Sequence, residues 1–279
     1  MYILSIVLFL ALTICEAASE KQEINKTLKF STGDKDSHSV LVDNINGAIT
    51  VTGYDGDDVQ LIVHETIHGE SERRIADAKK EVTIETNEDG DRIRIYVDGP
   101  WRRSDGSCNY RGYDYYGYEV VCDFELKIPY KTNIKLKTVN DGAIKVTNVE
   151  GSFEVNNVNG NVRLTDVSGS GRAITVNGDV DVSFKKNPTE ESSFKTINGE
   201  VNIKFQDNLK ADLEFKTMNG EVYSDFEMKS IASKPTSFSR HGGMKVYKSG
   251  DSFSVRVGDG GPDISFDTLN GDITVSKYE

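Results

Sequence analysis

Long apolar runs are almost absent from this sequence. One lies at the start, from Tyr2 to Ile14, and it is too short to span a bilayer comfortably. We interpret it as the hydrophobic region of a secretory signal that is cleaved after CEA at 15–17, so residues 1–17 are predicted to be a signal peptide. A lipid anchor at Cys15 is the alternative, although Ile14 stands where a small residue is usual.

No later segment is apolar enough to cross a membrane. The sequence therefore predicts an exported chain that is not integral to the membrane in its mature form. Its expected location is the cell envelope, meaning periplasm or cell surface, or the extracellular space.

Basic residues are also in short supply. Lys and Arg number 33 against 45 Asp and Glu, which gives a net charge of −12 at pH 7. Nucleic acids and anionic lipids attract proteins through surplus positive charge, so bulk charge excludes both as partners. We expect an acidic, well-solvated surface and no nucleic-acid partner.

Cysteine is scarce, because the chain has three and Cys15 lies in the predicted signal. The other two, Cys108 and Cys122, flank the aromatic, glycine-rich stretch NYRGYDYYGYEVV. In an exported chain this arrangement predicts a disulfide that closes a long hairpin and contributes about 3 kcal/mol through loop closure. A metal or redox pair is the alternative, but the spacing is not C-x-x-C and no other ligands lie nearby.

Glycine, in contrast, recurs at regular intervals. Apolar residues follow two, four and seven positions after most of the glycines in one series, and the unit SGSGRAITV is irregular. Offsets two and four share one face of a strand whereas offset seven does not, so the chain must bend between them. Stacked short strands with polar corners predict a β-solenoid rather than a flat meander of Asn-Gly hairpins. The glycines of the series are nine residues apart: Gly142, Gly151, Gly160, Gly169 and Gly178.

A longer repeat overlies the first. FKTINGEV at 194–201 returns as FKTMNGEV at 215–222 and as FDTLNGDI at 266–273. We expect the Phe, and the Ile, Met or Leu before Asn-Gly, to fill the core while Asn-Gly forms a corner. The threonines should form a surface ladder, either by cross-strand pairing or as a lattice of hydroxyls that faces a polysaccharide or ice. They are Thr138, Thr196, Thr217 and Thr268.

The flanking regions depart from the period. A diverged copy, NINGAITVTGYDGDDV, precedes the strand-like VQLIV, a charged stretch GESERRIADAKKEV that predicts one short helix, and two strands around TNEDGDRIRIYV. This N-terminal region and residues 230–262 are both expected to be caps or insertions of the solenoid. The predicted organisation is an N-terminal part at 18–130 with the disulfide-closed loop and solenoid repeats at 131–279, together one continuous all-β domain.

These residues resemble a known family. Units of the form T-[VILM]-N-G-x-[IV]-x-[VI], the N-terminal NGAITVTGYDGDDV, the charged helical patch and the closing VGDGGPDISFDTLNGDITV are similar to those of the putative adhesin family of bacterial exported repeat domains. The resemblance covers residues 38–277. It implies a right-handed β-solenoid-like fold at the cell envelope and brings no catalytic residues.

The stretch HETIH matches the H-E-x-x-H pattern of zinc peptidases. That pattern works on a helix, where both histidines share one face and the Glu activates a metal-bound water. Here it continues a strand-like run, and in a strand His64 and His68 would lie about 13 Å apart, too far for one metal. A hydrolase with His64, Glu65 and His68, completed by Glu81 or Glu85, is the alternative to exposed polar residues at a strand-to-helix junction.

A calcium site in GDGGPD at 258–263 is a further alternative, although the repeated G-G-x-G-x-D of calcium β-rolls is missing. The sequence also shows no nucleophile motif, no phosphate-cradling glycine loop with Lys, and no converging carboxylates. We therefore predict a protein that is not an enzyme and has no cofactor.

The loop from Trp101 to Tyr118 concentrates aromatic residues and arginines. Such residues dominate binding hot spots and stack on sugar rings, so the loop is the predicted contact surface. The alternative is a flap that packs its tyrosines over one end of the solenoid. The candidate binding residues are Trp101, Arg102, Arg103, Tyr110, Tyr113, Tyr115 and Tyr116.

The sequence as a whole predicts a non-enzymatic, exported, adhesin-like binding or scaffold module. Its expected partner is an envelope polysaccharide or a surface protein. Two alternatives remain open: the zinc-dependent hydrolase that uses HETIH, and a structural or stress-related envelope component with no dedicated ligand.

Overall fold

A computed structural model describes residues 18–31, 37–103, 107–232, 237–241, 244–248 and 252–278. The predicted signal peptide and Cys15 lie outside these residues. Within the described part of the chain, no helix is both long and apolar enough to cross a membrane.

The described residues form 23 strands and two short helices. The helices are α1 Glu72–Glu81 and α2 Tyr113–Tyr116. The strands are β1 Ala18–Lys29, β2 Ser39–Asp43, β3 Ile49–Tyr54, β4 Asp58–Gly69, β5 Thr83–Asp89, β6 Arg92–Asp98, β7 Tyr118–Pro129, β8 Asn133–Lys137, β9 Ile144–Thr147, β10 Phe153–Asn156, β11 Val162–Ser168, β12 Gly171–Ile174, β13 Val180–Lys186, β14 Ser192–Lys195, β15 Val201–Phe205, β16 Ala211–Asn219, β17 Val222–Ser224, β18 Met228–Ala232, β19 Ser237–His241, β20 Met244–Lys248, β21 Phe253–Val257, β22 Asp263–Asn270 and β23 Ile273–Lys277.

Two sheets share the strands, and this confirms the predicted all-β solenoid. Sheet 1 has the order β1-β4-β7-β3-β9-β11-β13-β15-β23-β17-β20-β19, and sheet 2 has the order β18-β21-β16-β22-β14-β12-β10-β8-β2-β6-β5. Each coil is one sheet 2 strand followed by one sheet 1 strand, such as β8 and β9, and neighbouring coils pair in parallel. Inward side chains of both sheets form one apolar core.

The coils do not stack in chain order. The last coil, β22–β23, lies between β14–β15 and β16–β17. At the other end, β2–β3 lies between β6–β7 and β8–β9. The stretches FKTINGEV, FDTLNGDI and FKTMNGEV are therefore adjacent in space, and each forms the same corner of three successive coils.

A chain of asparagine side chains runs along this corner. From the second member onward, each side-chain amide donates to the side-chain oxygen of the asparagine in the neighbouring coil, over 2.8 to 3.1 Å. An amide both donates and accepts, so one residue type can continue the ladder without end. The members in spatial order are Asn46, Asn140, Asn159, Asn177, Asn198, Asn270 and Asn219.

The threonine ladder lies inside the protein, so the expected surface ladder is wrong. The hydroxyl groups of Thr196 and Thr268 donate to the carbonyls of Gly178 and Gly199 over 2.8 and 3.1 Å. A corner glycine carbonyl close to the core needs a donor, which a Thr hydroxyl supplies in most coils and the Asn157 side chain supplies for Gly142. The buried members are Thr138, Thr175, Thr196, Thr217 and Thr268.

The core prediction for the repeat is half correct. The phenylalanines Phe194, Phe266 and Phe215 are fully buried and stack on one another, with ring centroids 5.7 and 4.9 Å apart. The residues before Asn-Gly are not core residues: Ile197, Leu269 and Met218 are 43, 39 and 71% exposed. Since the preceding Thr points inward, alternation turns the next side chain outward.

The predicted corners are confirmed. Asn148 and Asp166 have φ of 58 and 55°, the left-handed geometry that lets the chain turn between strands. Antiparallel strands finish both ends, with β4, β1 and β5 at one end and β18 to β21 at the other. The predicted helix is α1, which begins after the N-cap Ser71 and packs on β4 and β7.

We predict that Thr196→Val destabilises the protein by about 1 kcal/mol, because the Gly178 carbonyl loses the hydroxyl that donates to it. The control is Thr274→Val on the outer face of β23, where valine suits the strand and stability should be unchanged. Urea unfolding of both variants tests this, and equal effects would contradict a structural role for the buried hydroxyls.

Candidate functional site

The HETIH stretch lies in strand β4, so the hydrolase alternative has no structural basis. His64 and His68 point outward, and Glu65 points into the core on the opposite face. The His64 ring lies 3.6 Å from both Glu23 and Glu125, which are surface partners. Metal ligands must converge on one point, and a strand separates these three side chains.

Glu65 has a structural environment. Its carboxylate accepts a hydrogen bond from the Gln22 side chain in the neighbouring strand β1. Burial raises the pKa of Glu65 above its ordinary value of 4.5, with the hydrogen bond from Gln22 acting in the opposite direction. No three His, Cys, Asp or Glu side chains in the described ranges are grouped closely enough to hold a metal ion.

The proposed calcium loop carries an ion pair instead. The Nζ atom of Lys210 lies 2.8 Å from Asp259, and this contact lowers the pKa of the Asp259 carboxyl. Glycine at 258 and at 260 has positive φ, so the stretch is a tight turn between β21 and β22.

The aromatic loop packs most of its rings against the end of the core. Trp101 is only 3% exposed, and its ring meets Tyr110 and Tyr116 edge-on at 5.1 and 5.5 Å. The Tyr110 hydroxyl accepts from Asn46, the first member of the asparagine ladder, over 3.0 Å. Tyr118 donates to Glu81 of α1 over 2.6 Å. These residues therefore match the alternative interpretation of the loop, a flap that packs its tyrosines over one end of the solenoid.

Arg102 is also part of the framework. Its side chain is 6% exposed, and it forms a 2.9 Å ion pair with Asp43 of β2. Its guanidinium also donates to the carbonyl of Val97 and lies 5.0 Å over the ring of Tyr96. A partner molecule cannot reach this group, so Arg102 and Trp101 hold the loop in place and are not contact residues.

The loop leaves a small exposed tip. Tyr115 on α2 is 60% exposed, and the Arg111 guanidinium lies 4.7 Å from its ring centroid. Tyr113 is half-buried, and Arg103 is exposed at the other end of the loop. Behind the tip, Tyr116 contacts Tyr115 edge-on at 4.9 Å, so the exposed pair rests on the buried rings. We call Arg111 and Tyr115 the loop tip.

The predicted disulfide is absent, because Cys108 and Cys122 are both free. Cys122 faces inward on β7 beside Phe124, and Cys108 is exposed on the loop next to Arg102. Strand alternation directs the sulfur of Cys122 into the core and away from the loop. Burial raises the pKa of both thiols, most strongly for Cys122, so neither is an activated nucleophile.

A groove of about 710 Å³ crosses sheet 2 near the starts of its strands, and the sequence did not predict it. Polar and charged side chains line it, from Arg92 on β6 to Ser193 on β14. Beneath the groove runs a row of residues that point into the core. In this row Gly171 and Ser192 occupy the positions that Phe153 and Ile264 occupy in the adjacent coils. The signal was the irregular unit SGSGRAITV, whose small residues interrupt an otherwise apolar row.

We predict opposite behaviours for the base and the tip of the loop. Trp101→Ala should cost about 3–5 kcal/mol of unfolding free energy, because it empties a packed aromatic site. Tyr115→Ala should cost less than about 1 kcal/mol. Trp101→Phe is the matched control, since it keeps a ring and removes an indole N–H that has no acceptor among the described residues. Equal losses for Trp101→Ala and Tyr115→Ala in urea unfolding would contradict this division.

A thiol titration tests the two cysteines. In the chain that begins at residue 18, a thiol reagent should modify Cys108 slowly in the native state and reach Cys122 only after unfolding. The expected count is one thiol for the native protein and two for the unfolded protein. If the unfolded protein without reductant has no reactive thiol, Cys108 and Cys122 form the predicted disulfide after all.

Solved structures resemble the chain at low sequence identity. A putative cell adhesion protein from Clostridium sporogenes is 13% identical with a TM-score of 0.43, over 93% of this chain and 100% of its own. A putative adhesin from Bacteroides fragilis is 12% identical with a TM-score of 0.34, over 92% and 97%. A putative lipid binding protein from Parabacteroides distasonis is 12% identical with a TM-score of 0.33, over 94% and 97%. No curated protein matches the chain.

A family model matches more than half of the sequence. The model described as Toastrack DUF4097 matches residues 123–276, from within β7 to β23. This stretch contains all the coils of the solenoid from β8–β9 onward, and the match confirms the family resemblance drawn from the repeats. The chain therefore belongs to the Toastrack DUF4097 family.

Proposed function

We propose that this protein is a non-enzymatic, exported binding or scaffold module of the cell envelope or the extracellular space. In this proposal residues 1–17 are a signal peptide, and 18–130 and 131–279 form one continuous domain. Parallel pairing of β2 with β8 and of β3 with β9 joins the two parts and supports the single domain.

The loop tip is the observation that carries the proposal. Tyr115 and Arg111 are exposed, and Tyr and Arg are enriched in binding hot spots. The tip stands on a buried aromatic base, with Trp101 and Tyr118 fixed in the core. A contact residue held by a rigid base loses less conformational entropy when it binds, so the arrangement favours recognition over simple packing.

The outer rows of the solenoid support a non-catalytic role. Several of their charged side chains pair with each other, as in Lys135 with Glu154 and Arg163 with Asp181, both at 3.0 Å. Exposed pairs of this kind solvate a surface and contribute little energy. The loop tip in contrast combines an aromatic face with a cation, which suits an envelope polysaccharide or a surface protein as partner.

A pull-down of the purified protein against intact cells and envelope polysaccharide tests the proposal. We expect the double variant Tyr115→Ala, Arg111→Ala to lose at least about tenfold in affinity, because it removes the exposed pair. Its thermal unfolding should match that of the wild type. The control is Lys145→Ala with Glu85→Ala, which changes exposed charges elsewhere and should bind normally.

Binding that persists in the Tyr115, Arg111 variant would remove the loop tip as the contact surface. No binding by the wild type would leave a structural envelope component without a dedicated ligand as the better description. The buried positions of Trp101 and Arg102 are what favour that second candidate.

A further inference from the structure

The groove on sheet 2 shares no lining residue with the loop tip. It crosses the starts of six neighbouring strands, β6, β2, β8, β10, β12 and β14. Five steps between hydrogen-bonded strands, at about 4.8 Å each, give it a length of roughly 24 Å. A site of this length suits several units of an extended polymer better than a single small molecule.

Hydrogen bonds from backbone amides to serine hydroxyls hold one wall of the groove in place. The amide of Glu190 donates to Ser170 over 3.0 Å, and the amide of Gly171 donates to Ser192 over 3.2 Å. These bonds fasten the corner loop before β14 to the start of β12. The small residues of the irregular repeat unit thus form the floor of the groove. The corner loop before β14, in the neighbouring coil, forms one side of the groove.

Bases and acids line the groove in equal number. They are Arg92, Lys135, Arg172, Glu154, Glu190 and Glu191. Lys135 and Glu154 form an ion pair at 3.0 Å, whereas the other four have no ion-pair partner among the described residues. A polymer of either charge would therefore meet like charges along the groove, at a cost to its affinity.

Hydroxyl and amide groups lie between the charges. Ser39, Asn133 and Ser193 are on strands of sheet 2, Ser152 directly precedes β10, and the Ser152 hydroxyl donates to Asn133 over 2.7 Å. A hydroxyl both donates and accepts hydrogen bonds, a guanidinium only donates and a carboxylate only accepts. A ligand rich in hydroxyls can satisfy all three kinds of group at once.

The apolar residues of the lining offer little to a peptide. Val40, Ile134 and Phe153 touch the groove, but each is buried and points into the core, and the single outward-facing apolar residue, Leu41 on β2, is half-buried. Peptide recognition uses either a free sheet edge or pockets that take apolar side chains. This groove lies across a sheet face and has neither feature.

We infer that the groove binds a neutral oligosaccharide chain, with the guanidinium of Arg172 and the carboxylates of Glu190 and Glu191 holding its hydroxyls. The groove does not include the loop tip. A negative result for the loop tip therefore does not count against the groove, and a negative result for the groove does not count against the proposed function. Arg172 and Glu190 are exposed, so replacing them should leave the fold intact.

Calorimetric titration of the purified protein with neutral hexasaccharides of glucose, mannose and galactose tests the inference. At least one should bind with a Kd in the millimolar range or tighter. The double variant Arg172→Ala, Glu190→Ala should bind it at least about tenfold more weakly, because hydrogen bonds to two charged groups are lost. The control variant Lys145→Ala, Glu85→Ala and the loop-tip variant Tyr115→Ala should bind it as the wild type does.

A galacturonate hexasaccharide and a mixed-charge decapeptide are the competing probes. Tighter binding of the uronate would overturn the assignment to a neutral ligand, and tighter binding of the peptide would make the groove a peptide site. The inference also fails if no neutral hexasaccharide binds. It fails again if binding is unchanged in the Arg172, Glu190 variant while the thermal unfolding of that variant matches the wild type.

Discussion

The contact between glycines of neighbouring coils is the constraint on which the rest of the solenoid depends. A Cβ placed on Gly199 would lie 2.1 Å from the carbonyl oxygen of Gly178, and one on Gly271 would lie 2.0 Å from that of Gly199. Backbones approach this closely only without side chains. Successive coils must therefore turn at the same point, and the asparagine before the glycine, together with the Thr or Asn157 that precedes it, follows in register. Hydrogen bonds connect the coils along this corner. Asparagine side chains bond to each other on the outside, and buried threonine hydroxyls donate to glycine carbonyls on the inside.

A regular stack creates a problem at its ends, since the last coil exposes apolar core and unpaired backbone groups. Here the solution is the same at both ends. The outermost parallel coils, β6–β7 and β16–β17, are each paired with antiparallel strands, and α1 covers part of the first end. The coils β2–β3 and β22–β23 are each one position further in. This placement ties the C-terminal coil and the β2–β3 coil into the interior of the stack, whereas β1, at the N-terminal end of the described chain, is the edge strand of sheet 1.

Both candidate binding surfaces arise where the repeat is interrupted. The loop tip belongs to the long insertion between β6 and β7, and its exposed Tyr115 rests on rings that close the end of the core. The groove lies where Gly171 and Ser192 replace larger inward residues. Outward charges in several coils pair with each other, whereas Arg172 of the irregular unit has no ion-pair partner among the described residues. Function in this fold is thus expected at irregular units.

The sequence by itself determined the solenoid, its corners and its short helix, because alternation within strands and recurring Asn-Gly are local properties of the chain. It could not determine which side of the corner each Thr occupies, and so Thr196 was expected outside and Ile197 inside. Nor could it show that the third copy lies between the first two, or that Cys122 points away from Cys108. Those outcomes, like the burial of Trp101 and the shape of the groove, were decided by the tertiary structure, because they depend on contacts between residues far apart in the chain.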